Sequence, residues 1–186
     1  MFMIKSKKTR LAQEKAELIR YLTGDFTEAI AKRRLSMVDG GGYRFIDGHE
    51  PFRAPNFPDV DGTPPKNLDI VRIELATGNV TEIYEVKSTT TDGNEFDVNG
   101  QCGMFMEHAR KLGIPTYIIV VRMDRQLDED IMHADENGDI RINKQVYESE
   151  FKHFLESAKI EIYQHDAFRI ENGKFIIGDG KELARK

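Results

Sequence analysis

The stretch Asn67-Leu-Asp69-Ile-Val-Arg-Ile-Glu-Leu, a Thr77-Gly78-Asn79 turn, and then Val80-Thr-Glu-Ile-Tyr-Glu85-Val86-Lys87-Ser88 decides how this chain is read. Two runs rich in β-branched residues flank a glycine turn, which predicts a β-hairpin. The hairpin carries two carboxylates and a lysine, the raw material of a divalent-metal site.

Side chains on a strand alternate between faces, so residues two apart share one. Asp69 therefore lies with Val71, Ile73 and Leu75, and Ile83 lies with Glu85 and Lys87. A turn centred near Gly78 places Lys87 about opposite Asp69, and Val71 about opposite Glu85. All three charges then gather at the open end of an apolar face that helices should cover. Carrying charge there costs several kcal/mol per ion unless something compensates. A bound cation would compensate both carboxylates. The alternative is an Asp69–Lys87 ion pair across the strands, with Glu85 at the solvated edge.

Outside the hairpin, 186 residues with 39% hydrophobic and 32% charged side chains suit one soluble domain with a full core. No apolar run approaches a membrane span. Residues 1–10 lack the apolar stretch and cleavage site of a signal peptide, so an intracellular protein is expected. Cys102 is the only cysteine, which excludes a disulfide framework or a thiolate cluster. His108, six residues on along a predicted helix, faces another way, so the thiol is expected to be buried and inert. The net charge of −5 excludes binding to nucleic acid by bulk charge alone. The segment up to residue 34 is nonetheless locally basic, and it includes the cluster Lys32-Arg33-Arg34.

Helical spacing runs from residue 9 to 22 and resumes from Phe26 to Leu35 after Gly24-Asp25, which predicts one kinked helix or two short ones. Residues 43–66 read as a long irregular loop, with a short strand possible at Tyr43 to Ile46. After the hairpin, Glu95 to Val98 is a third short strand, and Asn99 caps a helix from Gly100 to Leu112. The run from Thr116 to Arg122 is apolar throughout and predicts a strand buried on both faces. A hairpin at Asp135 to Asp139 with an Asn137-Gly138 turn follows. Next come a helix through Tyr147, Phe151 and Phe154, a strand near Ile160 to Tyr163, and a hairpin turning at Asn172-Gly173.

An acid on one strand, Glu-x-Lys on the next, a preceding helix with glutamates and a following helix that begins near a glutamine resemble the PD-(D/E)xK nuclease superfamily. The match is Asp69 with Glu85-Val86-Lys87, although Leu68 stands where the motif's name has proline. The resemblance covers roughly residues 9 to 122. It implies an α/β fold with the restriction-endonuclease-like αβββαβ core shared by archaeal Holliday-junction resolvases, a central mixed sheet flanked by helices. Residues 1–125 would form that core, and residues 126–186 a C-terminal α+β elaboration packed on the same domain.

The resemblance further implies one or two Mg²⁺ (or Mn²⁺) ions held by Asp69, Glu85, the Val86 carbonyl and a carboxylate from the first helix. Glu17 is the preferred candidate for that carboxylate because it precedes Leu18-Ile19 at the edge of the apolar stripe. Glu14 stays open and Glu28 is a third choice. Lys87 would orient or help deprotonate water, and Gln101 would contact metal-bound water or the lysine. His49, in the loop before Asp69, could reach the site as a histidine does in the related cap-snatching viral endonucleases. Arg122, Lys111, Lys32, Arg33 and Arg34 are candidate phosphate contacts. The leading expectation is a metal-dependent endonuclease acting on DNA, able to work as a homodimer. The alternative is a nuclease-like fold that only binds nucleic acid or a protein partner.

Overall fold

A computed structural model describes residues 7–38, 41–98, 100–137, 139–164 and 166–178. Its first element, α1 (Lys7–Val38), is one continuous helix. Gly24-Asp25 does not break it, because Leu22, Phe26, Ile30 and Leu35 form one stripe that stays buried across the glycine.

The strands β1 (Tyr43–Gly48), β2 (Leu68–Glu74), β3 (Val80–Thr89), β5 (Thr116–Arg122) and β8 (Lys159–Gln164) form a mixed sheet in the order β1-β2-β3-β5-β8. Among the described residues, only β3 and β5 pair in parallel. The crossover between them contains β4 (Glu95–Asp97) and the helix α2 (Gly100–Lys111). The protein is thus α/β, an N-terminal helix packed on a five-stranded mixed sheet. The order α1-β1-β2-β3, then α2-β5, follows the expected core, with β4 interposed.

Strand alternation divides the interior into two layers. Val71, Ile73, Ile83, Ile118 and Val120 face α2, meeting Cys102, Phe105, Met106 and Ala109. Ile70, Tyr84, Val86, Ile119 and Val121 face α1 and α3 (Lys144–Ser157). Six of the seven β5 residues are buried, as a strand covered on both faces requires. Phe26 seals the second layer with edge contacts to Tyr147 at 4.6 Å and Phe151 at 5.5 Å.

Two expectations about the strands need correction. The expected strand near Glu95 is present as β4 but does not join the main sheet, where β1 is the third antiparallel strand. β5 already occupies the far edge of β3, so β4 pairs instead with β10 (Lys174–Ile177), in a small sheet completed by β9 (Phe168–Glu171). The hairpin register also differs, since Val71 lies opposite Ile83 and Ile70 opposite Tyr84. An irregularity between Arg72 and Ile73 shifts the ladder, and continuing it one step puts Asp69 level with Glu85, not Lys87.

The C-terminal residues are joined to the same sheet through β8, which pairs antiparallel with β5. A two-stranded ladder of β6 (Met132–Ala134) and β7 (Ile140–Ile142) sits between β5 and α3 in sequence. The β9–β10 turn has positive φ at Asn172 (49°) and Gly173 (74°), the primed geometry predicted from Asn-Gly. The proposed cap Asn99 and the turn residue Gly138 lie outside the described residues. Among the described residues, no helix is long and apolar enough to cross a membrane.

Candidate active site

The carboxyl end of β3, the start of β2 and the end of β1 meet at one end of the sheet, beside the carboxyl end of β5. Crevices at such strand ends are the usual ligand sites of open α/β sheets. What brings β1 and β2 together there is a close backbone approach. A Cβ on Gly48 would lie 2.6 Å from the Leu68 carbonyl oxygen, so only glycine fits. The next residue, His49, receives the Asn67 amide on its carbonyl at 3.2 Å, and Asn67 adopts a left-handed φ of 55°.

The β1–β2 register steps from Asp47↔Ile70 to Gly48↔Leu68, so Asp69 is passed over as the extra residue of a bulge. Bulges re-aim side chains, and this one frees the Asp69 carboxylate from the strand's alternation. Its Oδ2 accepts the Val86 amide hydrogen at 2.6 Å, beyond the last β2–β3 pair. Its Oδ1 lies 3.4 Å from His49 Nε2. The same imidazole nitrogen is 3.7 Å from Glu28 Oε1 on α1, and Nδ1 is 2.6 Å from Asp47 Oδ1. Glu28, His49 and Asp69 thereby bring three potential ligand atoms within 4.8 Å of one another.

On the other side of Asp69, Glu85 is 4% exposed and has both carboxylate oxygens engaged. Lys87 Nζ donates to Oε1 at 2.8 Å, and the buried Cys102 thiol donates to Oε2 at 2.9 Å. Lys87 also stands 5.5 Å from the centre of the Phe175 ring.

The charges follow from this packing. Burial, helped by the charge of Asp69, pushes Glu28 up to about 7. The hydrogen bond to Asp69, with Glu28 and Asp47 nearby, lifts His49 to about 10 despite its partial burial. Burial and the Asp69 charge also raise Glu85, against the pull of Lys87. Burial opposes the charge on Lys87, but Glu85 outweighs it and holds the ammonium above its ordinary value. Burial, then the charge of Glu85, raises Cys102, which keeps the thiol neutral.

The structure brings together Asp69, Glu85 and Lys87 of the hairpin, with the Val86 amide, not its carbonyl, in contact with Asp69. It does not bring Glu17, which is exposed. The α1 carboxylate that lies beside His49 and Asp69 is Glu28, and the eleven-residue step to it from Glu17 spans about 16 Å along the axis. Gln101 is exposed, not on the buried side, and its Oε1 accepts a hydrogen bond from Asn67 Nδ2, two residues before Asp69. Arg122 is turned inward, donating to Glu161 at 2.7 Å, to the Thr91 carbonyl at 2.7 Å and to Asn94 at 2.9 Å. Lys32 lies 4.0 Å from Asp47, one helical turn beyond Glu28, while Arg33 and Arg34 are exposed away from the cluster.

Glu28 was hard to read because periodicity gives the face of a helix but not the height at which the sheet end meets it. His49 is signalled by Gly48: the pairing of β1 with β2 sets the histidine beside Asn67 and Asp69. The donor set of Glu28, His49 and Asp69, carboxylate oxygens with one imidazole nitrogen, is of the kind that holds a divalent cation, and it contains no thiolate. Compared with models of known protein families and with characterised proteins, the sequence matches none.

Proposed function

We propose that the chain is a divalent-metal-dependent nuclease of the PD-(D/E)xK type that hydrolyses phosphodiester bonds, with DNA as the leading substrate. The observation that carries this reading is the convergence on Asp69. Glu28 and His49 lie on one side of it, and the buried Glu85–Lys87 pair on the other. Glu28, His49 and Asp69 would hold the cation, with Glu85 as the adjoining carboxylate. When bound, such a cation supplies Lewis acidity and a more acidic water.

The chain's own residues have definable tasks in this reading. Lys87 keeps Glu85 oriented and sets a fixed positive charge where negative charge would grow on the phosphoryl oxygens. The Val86 amide fixes one oxygen of Asp69, leaving the other toward Glu28 and His49. Gln101 steadies Asn67 and through it the backbone entering β2.

The test is Mn²⁺-dependent cleavage of plasmid, linear, single-stranded and branched DNA and of RNA, with wild type beside Asp69→Ala, Glu85→Ala and Lys87→Ala. Each variant should lose cleavage by about 100-fold or more while remaining folded by circular dichroism. Cleavage that survives all three changes would sink the proposal. A second reading, a domain that binds nucleic acid or a protein without cutting, draws on the balance of charge within the cluster. His49 and Lys87 already offset part of the acidic charge. A calorimetric titration separates the two, because the binding-only domain needs no Mn²⁺ site that depends on Asp69.

A further inference from the structure

A cleft of about 490 Å³ opens directly on Glu28 and Lys87, between α1 and the loop that follows β3. It runs into a second cleft of about 300 Å³, and Arg20, Ser88 and Thr89 wall both. Together they make one groove along α1 that leads away from the carboxylate cluster. Resting on the nuclease reading above, we infer that this groove takes the backbone of a single polynucleotide strand and feeds it to the cluster.

Three observations carry the inference. Arg20 is exposed in the middle of the groove and has no carboxylate partner among the described residues; its guanidinium only approaches the Tyr21 ring, at 5.8 Å. An unpaired cation beside the hydroxyl-bearing residues Ser88 and Thr89 suits a phosphodiester. Gly24 also lines the groove, in the interior of a 32-residue helix where glycine costs about 1 kcal/mol relative to alanine. A Cβ there would meet nothing within 4 Å, so packing does not require the glycine. What its bare backbone does is keep the groove wide where the strand would pass. Finally, Asp97 lines the β4 side beside Glu95, which pairs with Lys174 at 3.4 Å. Among the described residues the groove thus sets one unpaired carboxylate, Asp97, against a single unpaired cation, Arg20, enough to hold one phosphodiester backbone but not two, so the charge pattern favours one strand over a duplex.

The inference is tested on the full chain by fluorescence anisotropy with a labelled single-stranded oligonucleotide, as DNA and as RNA, and the matching DNA duplex. EDTA is present, so that binding is read apart from cleavage. Single strands should bind at least 10-fold tighter than the duplex. Gly24→Gln should weaken that binding at least 10-fold while leaving the melting temperature unchanged or higher, since glutamine is the better helix former. Arg20→Gln should weaken binding and lower the slope of log affinity against log salt by about 0.7, the share of one single-strand phosphate contact. Equal affinity for duplex, no binding of either single strand, or indifference to both substitutions would overturn it. Groove-dependent binding in a protein that never cleaves with Mn²⁺ would uphold the groove and reject the nuclease.

Discussion

Asp69 is the residue on which both halves of the cluster depend, because its charge bears on Glu28, His49, Glu85 and Lys87 alike. In the metal-free protein the protonated His49 ring supplies the local positive charge among Asp47, Glu28 and Asp69. Its folded value of about 10 lies above the ordinary 6.5, so the stabilisation is complete below 6.5 and is lost as the pH rises towards 10. Glu28 acts in the same direction at lower pH. Its folded value of about 7 against 4.5 means that the native state binds the proton more tightly, and that contribution fades between 4.5 and 7. Urea denaturation of the metal-free protein should therefore show stability falling from near neutrality towards pH 10, and His49→Gln should flatten the fall. If the imidazole ligates Mn²⁺, binding at about pH 8 must release about one proton from it. Calorimetry in buffers of different ionisation enthalpy would read that proton, and His49→Gln should abolish it. A wild type that releases none would leave His49 outside the metal's ligands.

At the scale of elements, the end of β1 is held against β2 by the absence of a side chain at Gly48. Gly48→Ala would drive a methyl to 2.6 Å from the Leu68 carbonyl and 2.9 Å from Val71 Cγ2. Backbone cannot yield as a flexible side chain does, so a loss of about 1–3 kcal/mol is expected in urea denaturation, with weaker Mn²⁺ binding because His49 is displaced. Neutral stability with unaltered Mn²⁺ binding would show that the junction tolerates a side chain and does not position His49. The elements that the sequence made legible are those with strong internal pattern. Thr116–Arg122 is apolar throughout, β2 and β3 flank a glycine turn, and Gly113, at a φ of 74°, stops the chain just after α2. β1 was harder, since Tyr43, Arg44 and Asp47 are exposed and its pattern is barely amphipathic. The register was illegible for a similar reason, because the irregularity at Arg72/Ile73 leaves no signature in residue type. At the site, the hairpin residues Asp69, Glu85 and Lys87 could be placed by alternation. Glu28, brought in by α1, could not.

Across the whole molecule, two buried glutamates fasten the C-terminal residues to the core. Glu150 on α3 accepts both guanidinium nitrogens of Arg125 at 2.7 Å and the Asp128 amide at 3.0 Å. Glu161 on β8 accepts Arg122 from β5, and Arg122 also holds the carbonyls of Thr91 and Gly93 in the loop between β3 and β4. One guanidinium thus ties β8, β5 and the loop that walls the groove. That accounts for Arg122 better than a phosphate contact does, and the two roles predict different behaviour. Arg122→Ala should destabilise the protein by about 2–4 kcal/mol, because it leaves Glu161 buried with fewer partners and takes a donor from the carbonyls of Thr91 and Gly93. The double variant Arg122→Ala/Glu161→Ala should be less unstable than the sum of the single variants by about 1–3 kcal/mol, the coupling expected of groups in one network. A phosphate contact would instead leave urea stability near wild type and lower the salt dependence of oligonucleotide binding. Additive single variants with a reduced salt slope would return Arg122 to the nucleic-acid surface.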